Sequence, residues 1–445
     1  MNIRLLLSII RLLLNTKKSR RAMLRLREKK LRRVLRHACR NSPYYKASFA
    51  AAGITMGNIK TIPLKRLPAL EKETLLSDFD SIVTKRGVTQ SFLRSLDESG
   101  ASAPRGVHFV HSSGTTGTPR YVFYDEAAWR TMLAGIIRGA FWGMGFGALL
   151  RFLRQGVRLC YIAAVNGNYG GAVSIRGGAH DMGAEELFID LNTPVAEWLP
   201  AIHAFRPNLL IGYPSALKIL AEETERERRN ADFSEVRQVV TCGEPLPPAL
   251  RAYMERVFCK KVINFYGTSE SLALGLEESK DSGMLLFDDL NYIEEIDGAM
   301  YLTCLYNFAQ PLIRYRISDK IRLLDEERGP FSRCTVVQSR EEDVMWFTDG
   351  ARREFLHPLS VEGFCIDGLV DYQFVQTGDS AFSVRIQTAP DISGTSQRRI
   401  CDDLARQIQR VLDEKSLGFV RFSIERVDEI LPEQNGKKKL VVRCA

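Results

Sequence analysis

The stretch HSSGTTGTPRYVFYD, residues 111–125, sets how the rest of the chain is read. Ser112, Ser113, Gly114, Thr115, Thr116, Gly117 and Thr118 form an unbroken run of small hydroxyl residues and glycines. Pro119 and Arg120 close it, and the strand-like YVFY follows. A flexible linker is one reading. The other is a phosphate cradle, in which backbone N–H groups at glycines approach an anion, hydroxyls add donors and a cation adds charge. Gly114 and Gly117 would give the approach, and Arg120 the charge. The run is not a Walker loop, because no Gly-Lys-Ser/Thr follows a glycine at the required spacing. Its own composition leaves both readings open, so the decision rests on its companions.

With 445 residues the chain has room for two or three domains, and 45% hydrophobic and 26% charged residues are ordinary for a folded globular protein. Nine scattered cysteines, none spaced Cys-x-x-Cys, exclude a disulfide framework or zinc knuckle and fit a reduced, cytoplasmic setting. The net charge of +9 is unevenly spread. Residues 1–40 hold 14 Lys or Arg against one acid, Glu28, whereas the remainder carries −4. A nucleic-acid groove needs basic residues across the fold, so that class is excluded.

The basic arm begins MNIRLLLSIIRLLLN, in which Arg4, Ser8, Arg11 and Asn15 recur at helical spacing among Leu and Ile. This predicts an amphipathic helix with a narrow polar stripe. It is too short to span a bilayer, which takes about 20 residues. Two readings stay open. The helix packs on its own domain or a second subunit, forming a homodimer, or it makes peripheral contact with the inner membrane surface through residues 1–36, with the Lys17 to Arg36 cluster facing anionic headgroups. Helical spacing continues over 22–40, until Pro43 stops it.

Beyond the glycine-hydroxyl run, residues 126–155 read as one helix. Apolar runs at 158–165, 208–213, 236–243 and 261–267 then alternate with helical segments, which predicts a layered α/β domain. After about residue 340 the texture simplifies to a strand pair (372–389), a helix (396–415) and a strand (421–430), a small α+β unit. The expected organisation is a basic helical arm (1–40), a large α/β domain (41–339) and a small, mobile C-terminal α+β domain (340–445).

Four further segments accompany the run. In NFYGTSESLALG (264–275) a strand ends at Tyr266, Gly267 and Thr268, followed by Glu270. A carboxylate there could hold Mg²⁺ beside phosphates, or Thr268 and Glu270 could simply start a helix. In PLIRYRISD (311–319) Asp319 ends a strand and suits two ribose hydroxyls, or is a turn residue. SREEDV (339–344) supplies Arg340 and Glu342. LPEQNGKKKLVV (431–442) supplies Lys437, with Lys438 and Lys439 beside it.

In this order and with these gaps, the five segments resemble the adenylate-forming superfamily of acyl-CoA synthetases, adenylation domains and luciferases, and within it the phenylacetate–CoA ligase branch. The resemblance runs from about Leu31 to Arg443. It implies ATP-dependent, AMP-forming activation of a carboxylic acid, aryl or related, as an acyl-adenylate, then transfer to a thiol, coenzyme A or the phosphopantetheine of an acyl carrier protein. By position it places Ser112 to Thr118 on the phosphates, Glu270 on Mg²⁺, Gly243, Glu244 and Pro245 at adenine, and Tyr266 beside adenine and the acyl group, with Gly267 and Thr268 in the same motif. Asp319 falls on the ribose, Arg340 near ribose or phosphate, Glu342 at a hinge, and Lys437 between carboxylate and α-phosphate. Tyr213 and Cys242 are candidates for the acyl pocket.

Two departures stand out. Ser318 and Ser339 occupy places where the family usually has glycine, which motivates an alternative, a non-catalytic binding protein that keeps the fold. The basic arm also fits an acidic carrier protein.

Overall fold

The computed structural model describes residues 2–111, 120–165, 170–226, 233–279, 282–324, 329–335, 344–350, 352–361, 364, 366–389, 392, 394–430 and 440–443. Among these, five parallel strands form one side of a nine-stranded sheet, in the spatial order Val262–Thr268, Gln238–Cys242, Leu209–Gly212, Arg158–Ala163 and Glu185–Asp190. Sheets covered on both faces need continuous apolar strands, and LLIG (209–212) is buried at every position. Helices such as Pro214–Arg226 and Pro248–Phe258 return the chain between strands. The sheet continues antiparallel through Ser271–Glu277 and Met284–Leu286.

The four expected strands are all present. The edge strand Glu185–Asp190 was not anticipated, because it opens with two exposed glutamates. The single helix expected over 126–155 is corrected to two, Glu126–Ala140 and Phe146–Arg154. Gly143, at φ +76°, turns the chain between them in a conformation a helix cannot contain.

Two small sheets position the candidate motifs. His108–His111 pairs with Tyr121–Tyr124, and the pairing of His111 with Tyr121 closes a hairpin around the run at 112–118. That run itself lies outside the described residues. The hairpin is pinned by two fully buried amides. Gln310 Oε1 accepts from the Phe123 N–H (2.6 Å), and Asn307 Nδ2 donates to the Phe123 carbonyl (2.8 Å). A three-stranded antiparallel sheet, Asn291–Ile296, Ala299–Cys304 and Tyr315–Lys320, carries Asp319. Its first hairpin turns at Asp297 and Gly298, both at positive φ, as a two-residue turn of this kind requires.

The N-terminal helices are built into the body. α1 (Ile3–Asn15) inserts Leu5, Ile9 and Leu12 into the main core, and α2 (Arg20–Asn41) adds Leu31, Val34, Leu35 and Ala38. Asn15, on the expected polar stripe, is buried and donates to Asp289 (2.8 Å). Asp289 also takes a two-pronged ion pair from Arg138 (2.8 and 3.0 Å), both side chains fully buried. Burial pulls the Asp289 carboxyl up, but Arg138 and Lys30 outweigh it and hold it below its ordinary value. Arg20 and Arg27 pair with Asp288. Part of the basic cluster is therefore turned inward.

The C-terminal part is a four-stranded sheet, in the order Arg421–Arg426, Ala381–Thr388, Leu369–Gly378 and Val441–Arg443, covered by helix Gly394–Glu414. Ile400, Leu404, Ile408 and Leu412, four residues apart, face a separate core with Phe374 and Val384. The whole is a large layered α/β part followed by a small α+β part.

Candidate active site

Ligands bind α/β sheets at the carboxyl ends of parallel strands. Here three adjacent strands end in candidate residues: Leu209–Gly212 leads to Tyr213, Gln238–Cys242 to Gly243, and Val262–Thr268 carries Tyr266, Gly267 and Thr268. Sheet order thus gathers segments separated by more than fifty residues.

Tyr266 and Asp319 meet directly. The Tyr266 hydroxyl donates to Asp319 Oδ2 at 2.6 Å, joining the principal sheet to the three-stranded one. Burial and then the Asp319 charge push the Tyr266 hydroxyl well above its ordinary pKa, so it remains a donor at neutral pH. Asp319 is half-buried and keeps part of its surface open.

Glu270 does not begin a helix. Strand Ser271–Glu277 folds straight back on Val262–Thr268, with Thr268 opposite Ser271, so the helix-start reading of Thr268 and Glu270 is corrected. Gly267 is required at this reversal, since a Cβ there would sit 2.5 Å from the Leu272 carbonyl oxygen. Glu270 is buried, with Oε1 3.4 Å from Arg120 Nη1, and that nitrogen also donates to the Tyr315 hydroxyl (2.8 Å). Arg120 leads out of the glycine-hydroxyl hairpin, so the pair ties the hairpin's exit to the Glu270 turn.

The third group surrounds residues 243–245. Gly243 has φ +83°, and a Cβ would lie 2.8 Å from Tyr213 Cε1. Glu244 accepts from the Ser215 N–H (2.9 Å) and hydroxyl (2.8 Å), and lies 2.8 Å from His357 Nε2. His357 is fully buried and stacks on Tyr213, with centroids 5.9 Å apart. It belongs to the chain beyond residue 344, so this contact locks the later part of the chain onto the 243–245 turn. With its carboxylate so engaged, Glu244 shapes the turn. Burial, then Glu244, pushes the Cys242 thiol up to about 12, so it stays protonated at neutral pH.

A second lock lies nearby. Glu354 Oε2 accepts from the Val195 N–H (2.8 Å). Its Oε1 pairs with Lys415 (3.0 Å), which also donates to the Thr193 carbonyl (3.0 Å). Burial brings the Lys415 ammonium down to about 8 against the opposing pull of Glu354.

The polar atoms fit a nucleotide. The Thr268 hydroxyl is buried without a hydrogen-bond partner among the described residues, a costly state that a polar ligand would relieve. Beside it lie one buried carboxylate at Glu270, one half-open carboxylate at Asp319 and a cation at Arg120. Arg340, Glu342 and Lys437 lie outside the described residues, as do Ser339 and the run at 112–118. His357, Gln310 and Asn307 were missed. A lone histidine and two amides carry no spacing signal, and only the fold shows what they touch.

A parallel sheet with nucleotide-fitting groups at its carboxyl edge, and a small α+β part docked against that edge, defines the class of adenylate-forming ligases. A family model described as AMP-binding enzyme matches residues 56–286, more than half of the chain, and the chain belongs to that family. It is similar to the phenylacetate-coenzyme A ligase of Aromatoleum evansii, 26% identical over 338 residues (71% of this chain, 70% of the relative). It is also similar to that of Escherichia coli (strain K12), 25% identical over 341 residues (72% and 71%). The fold matches a 2-hydroxyisobutyryl-CoA ligase in complex with 2-HIB-AMP and CoA in the thioesterification state, with TM-score 0.65 and 19% identity over 96% of this chain and 91% of that one. An open conformation of the same ligase gives TM-score 0.56 at 19% identity, over 94% and 90%. The chain is thus an AMP-forming acid–thiol ligase of the phenylacetate–CoA ligase kind. Among the described residues no helix is long and apolar enough to cross a membrane.

Proposed function

We propose that this protein joins an aryl or related carboxylic acid to coenzyme A in two steps, using ATP and releasing AMP. In the first, a carboxylate oxygen bonds to the α-phosphorus of ATP and the bond to the bridging oxygen breaks, giving an acyl-adenylate and pyrophosphate. In the second, the thiol sulfur bonds to the acyl carbon and AMP departs. The observation that carries this reading is the joined pair of Tyr266 with Asp319 and Glu270 with Arg120, at the carboxyl edge of the parallel sheet.

Each residue has a task set by its chemistry. Asp319, oriented by Tyr266, accepts from the ribose hydroxyls. The backbone of Gly243, Glu244 and Pro245 meets adenine. Ser112 to Thr118 hold the β- and γ-phosphates, with Arg120 close behind them in sequence. Among the described residues no three His, Cys, Asp or Glu side chains gather as a metal cage. Glu270 would hold Mg²⁺, and the ion would supply charge neutralisation at phosphorus. Lys437 bridges carboxylate and α-phosphate in the first step, and Arg340 contacts the nucleotide. The part beyond about residue 340 moves about Glu342 between steps. The His357–Glu244, Glu354–Val195 and Lys415–Thr193 contacts hold one of its positions. Tyr213 and Cys242 wall the acyl pocket.

The experiment is release of AMP by the purified protein with ATP, Mg²⁺, coenzyme A and a panel of aryl, fatty and amino acids. Release with an aryl acid that requires coenzyme A supports the reading. Release only with a phosphopantetheinylated carrier protein would replace the acceptor. ATP binding without turnover of any acid, the outcome Ser318 and Ser339 motivate, would make the chain a binding protein. Peripheral membrane contact rests on a separate surface, the outer face of α1.

A further inference from the structure

Five large apolar side chains stand exposed among the described residues, and four lie on α1: Ile3 (73% exposed), Leu7 (62%), Ile10 (43%) and Leu14 (59%). Their spacing of four, three and four residues makes one continuous stripe along the helix. The opposite side is fixed. Leu5, Ile9 and Leu12 sit in the core, and Asn15 is tied to Asp289, so α1 cannot roll to hide the stripe. A shallow groove of about 320 Å³, lined by Leu7, Ile10, Leu14 and Leu26 with Arg11 and Lys18 at its rim, extends the stripe toward α2.

The charge around the stripe selects its occupant. Arg20, Arg27 and Lys30 are taken up by Asp288 and the Asp289 carbonyl. Arg4, Arg11, Lys17, Lys18, Arg21 and Arg25 remain exposed, and residues 1–40 contain a single acid, Glu28. A second copy docked on the stripe would bring two such basic rims together. An anionic lipid surface instead offers an apolar layer for the stripe and negative headgroups for the rim. At 1.5 Å per residue, α1 is about 20 Å long, which suits lying in the interface and not crossing it.

We propose that α1 docks this protein on the surface of an anionic phospholipid bilayer, with Ile3, Leu7, Ile10 and Leu14 inserted and the flanking lysines and arginines on the headgroups. The attachment is peripheral and reversible. It orients the large domain through a rigid helix, since α1 is packed in its core.

The test is co-flotation of the full-length protein with phosphatidylcholine vesicles, with and without phosphatidylglycerol, at low and high salt. The protein is expected to float with the anionic vesicles and to lose that binding at high salt. Each leucine withdrawn from the interface should weaken binding about tenfold, so Leu7→Ser/Leu14→Ser should abolish flotation. Both leucines are exposed, so circular dichroism and acid-dependent pyrophosphate release should be unchanged in the double variant. No flotation of the wild type, or equal flotation with neutral and anionic vesicles, overturns the proposal. So does a dimer by light scattering that the double variant dissolves while vesicle binding is absent.

Discussion

Tyr266→Phe removes one oxygen and leaves the ring in place, so it isolates the bond that orients Asp319. That bond is short, 2.6 Å, and its acceptor is a carboxylate. Removing a hydrogen bond to a charged group costs about 1.5–3 kcal/mol when the acceptor is left dry. Asp319 is only half-buried, so water can replace part of what is lost. The effect should therefore fall at about 1–2 kcal/mol, equivalent to about 5- to 30-fold in nucleotide affinity. If Asp319 holds the ribose, the loss appears in KM for ATP. The KM for the acid should move by less than about twofold, because the Tyr266 ring, the part assigned beside the acyl group, is kept. The assay is initial-rate pyrophosphate release against ATP concentration, with equilibrium binding of ATP as a check. A KM for ATP unchanged in Tyr266→Phe, while that for the acid rises, would refute the assignment of Asp319 to the ribose.

Other consequences follow from the same geometry. Gly243→Ala places a Cβ 2.8 Å from a Tyr213 ring that is stacked on His357 and not free to yield, at a φ of +83°. Strain and clash together should cost about 1–3 kcal/mol, read as a lower melting temperature and weaker ATP binding. Asp289→Ala strips the partner from a fully buried Arg138 and should destabilise the fold by about 3–5 kcal/mol in urea unfolding, whereas a shift below about 1 kcal/mol would contradict the buried pair. Lys415 titrates near 8 in the folded chain against about 10.5 unfolded. Below 8 it is charged in both states and its burial cost is fully present. Between about 8 and 10.5 the unfolded chain binds more protons, so stability relative to Lys415→Met should rise with pH across that window. A pH-independent difference between the two melting curves would show that the ammonium is not buried as described.

The sequence was most legible where physics is local. Strands such as LLIG (209–212) are buried on both faces, so their composition is nearly all apolar and they read as strands unaided. The helix Gly394–Glu414 repeats Ile or Leu every four residues on its core side, and it was found almost to its ends. Glu185–Asp190 was hidden because an edge strand exposes its first residues. The helix break at Gly143 was hidden because a glycine inside a helical pattern need not end it, and only the positive φ in the folded chain shows that this one does. In the candidate site, the segments that carry Tyr266, Glu270 and Asp319 were legible as an ordered set of motifs. The partners that set their geometry were not. Tyr315, Gln310 and His357 act through contacts between residues up to about two hundred apart in sequence, which no local pattern encodes. The basic arm was legible as charge and periodicity, but its division into inward ion pairs and an outward apolar stripe required the packing of α1.

The most direct measurement of the central claim is exchange of labelled pyrophosphate into ATP, with and without each acid of the panel, for the wild type, Glu270→Gln and Lys437→Ala. Exchange requires reversible acyl-adenylate formation and does not involve the thiol. The account predicts exchange dependent on an aryl acid, lost in both variants while ATP still binds. Exchange with no acid in the wild type, or full exchange retained in Glu270→Gln, would contradict it.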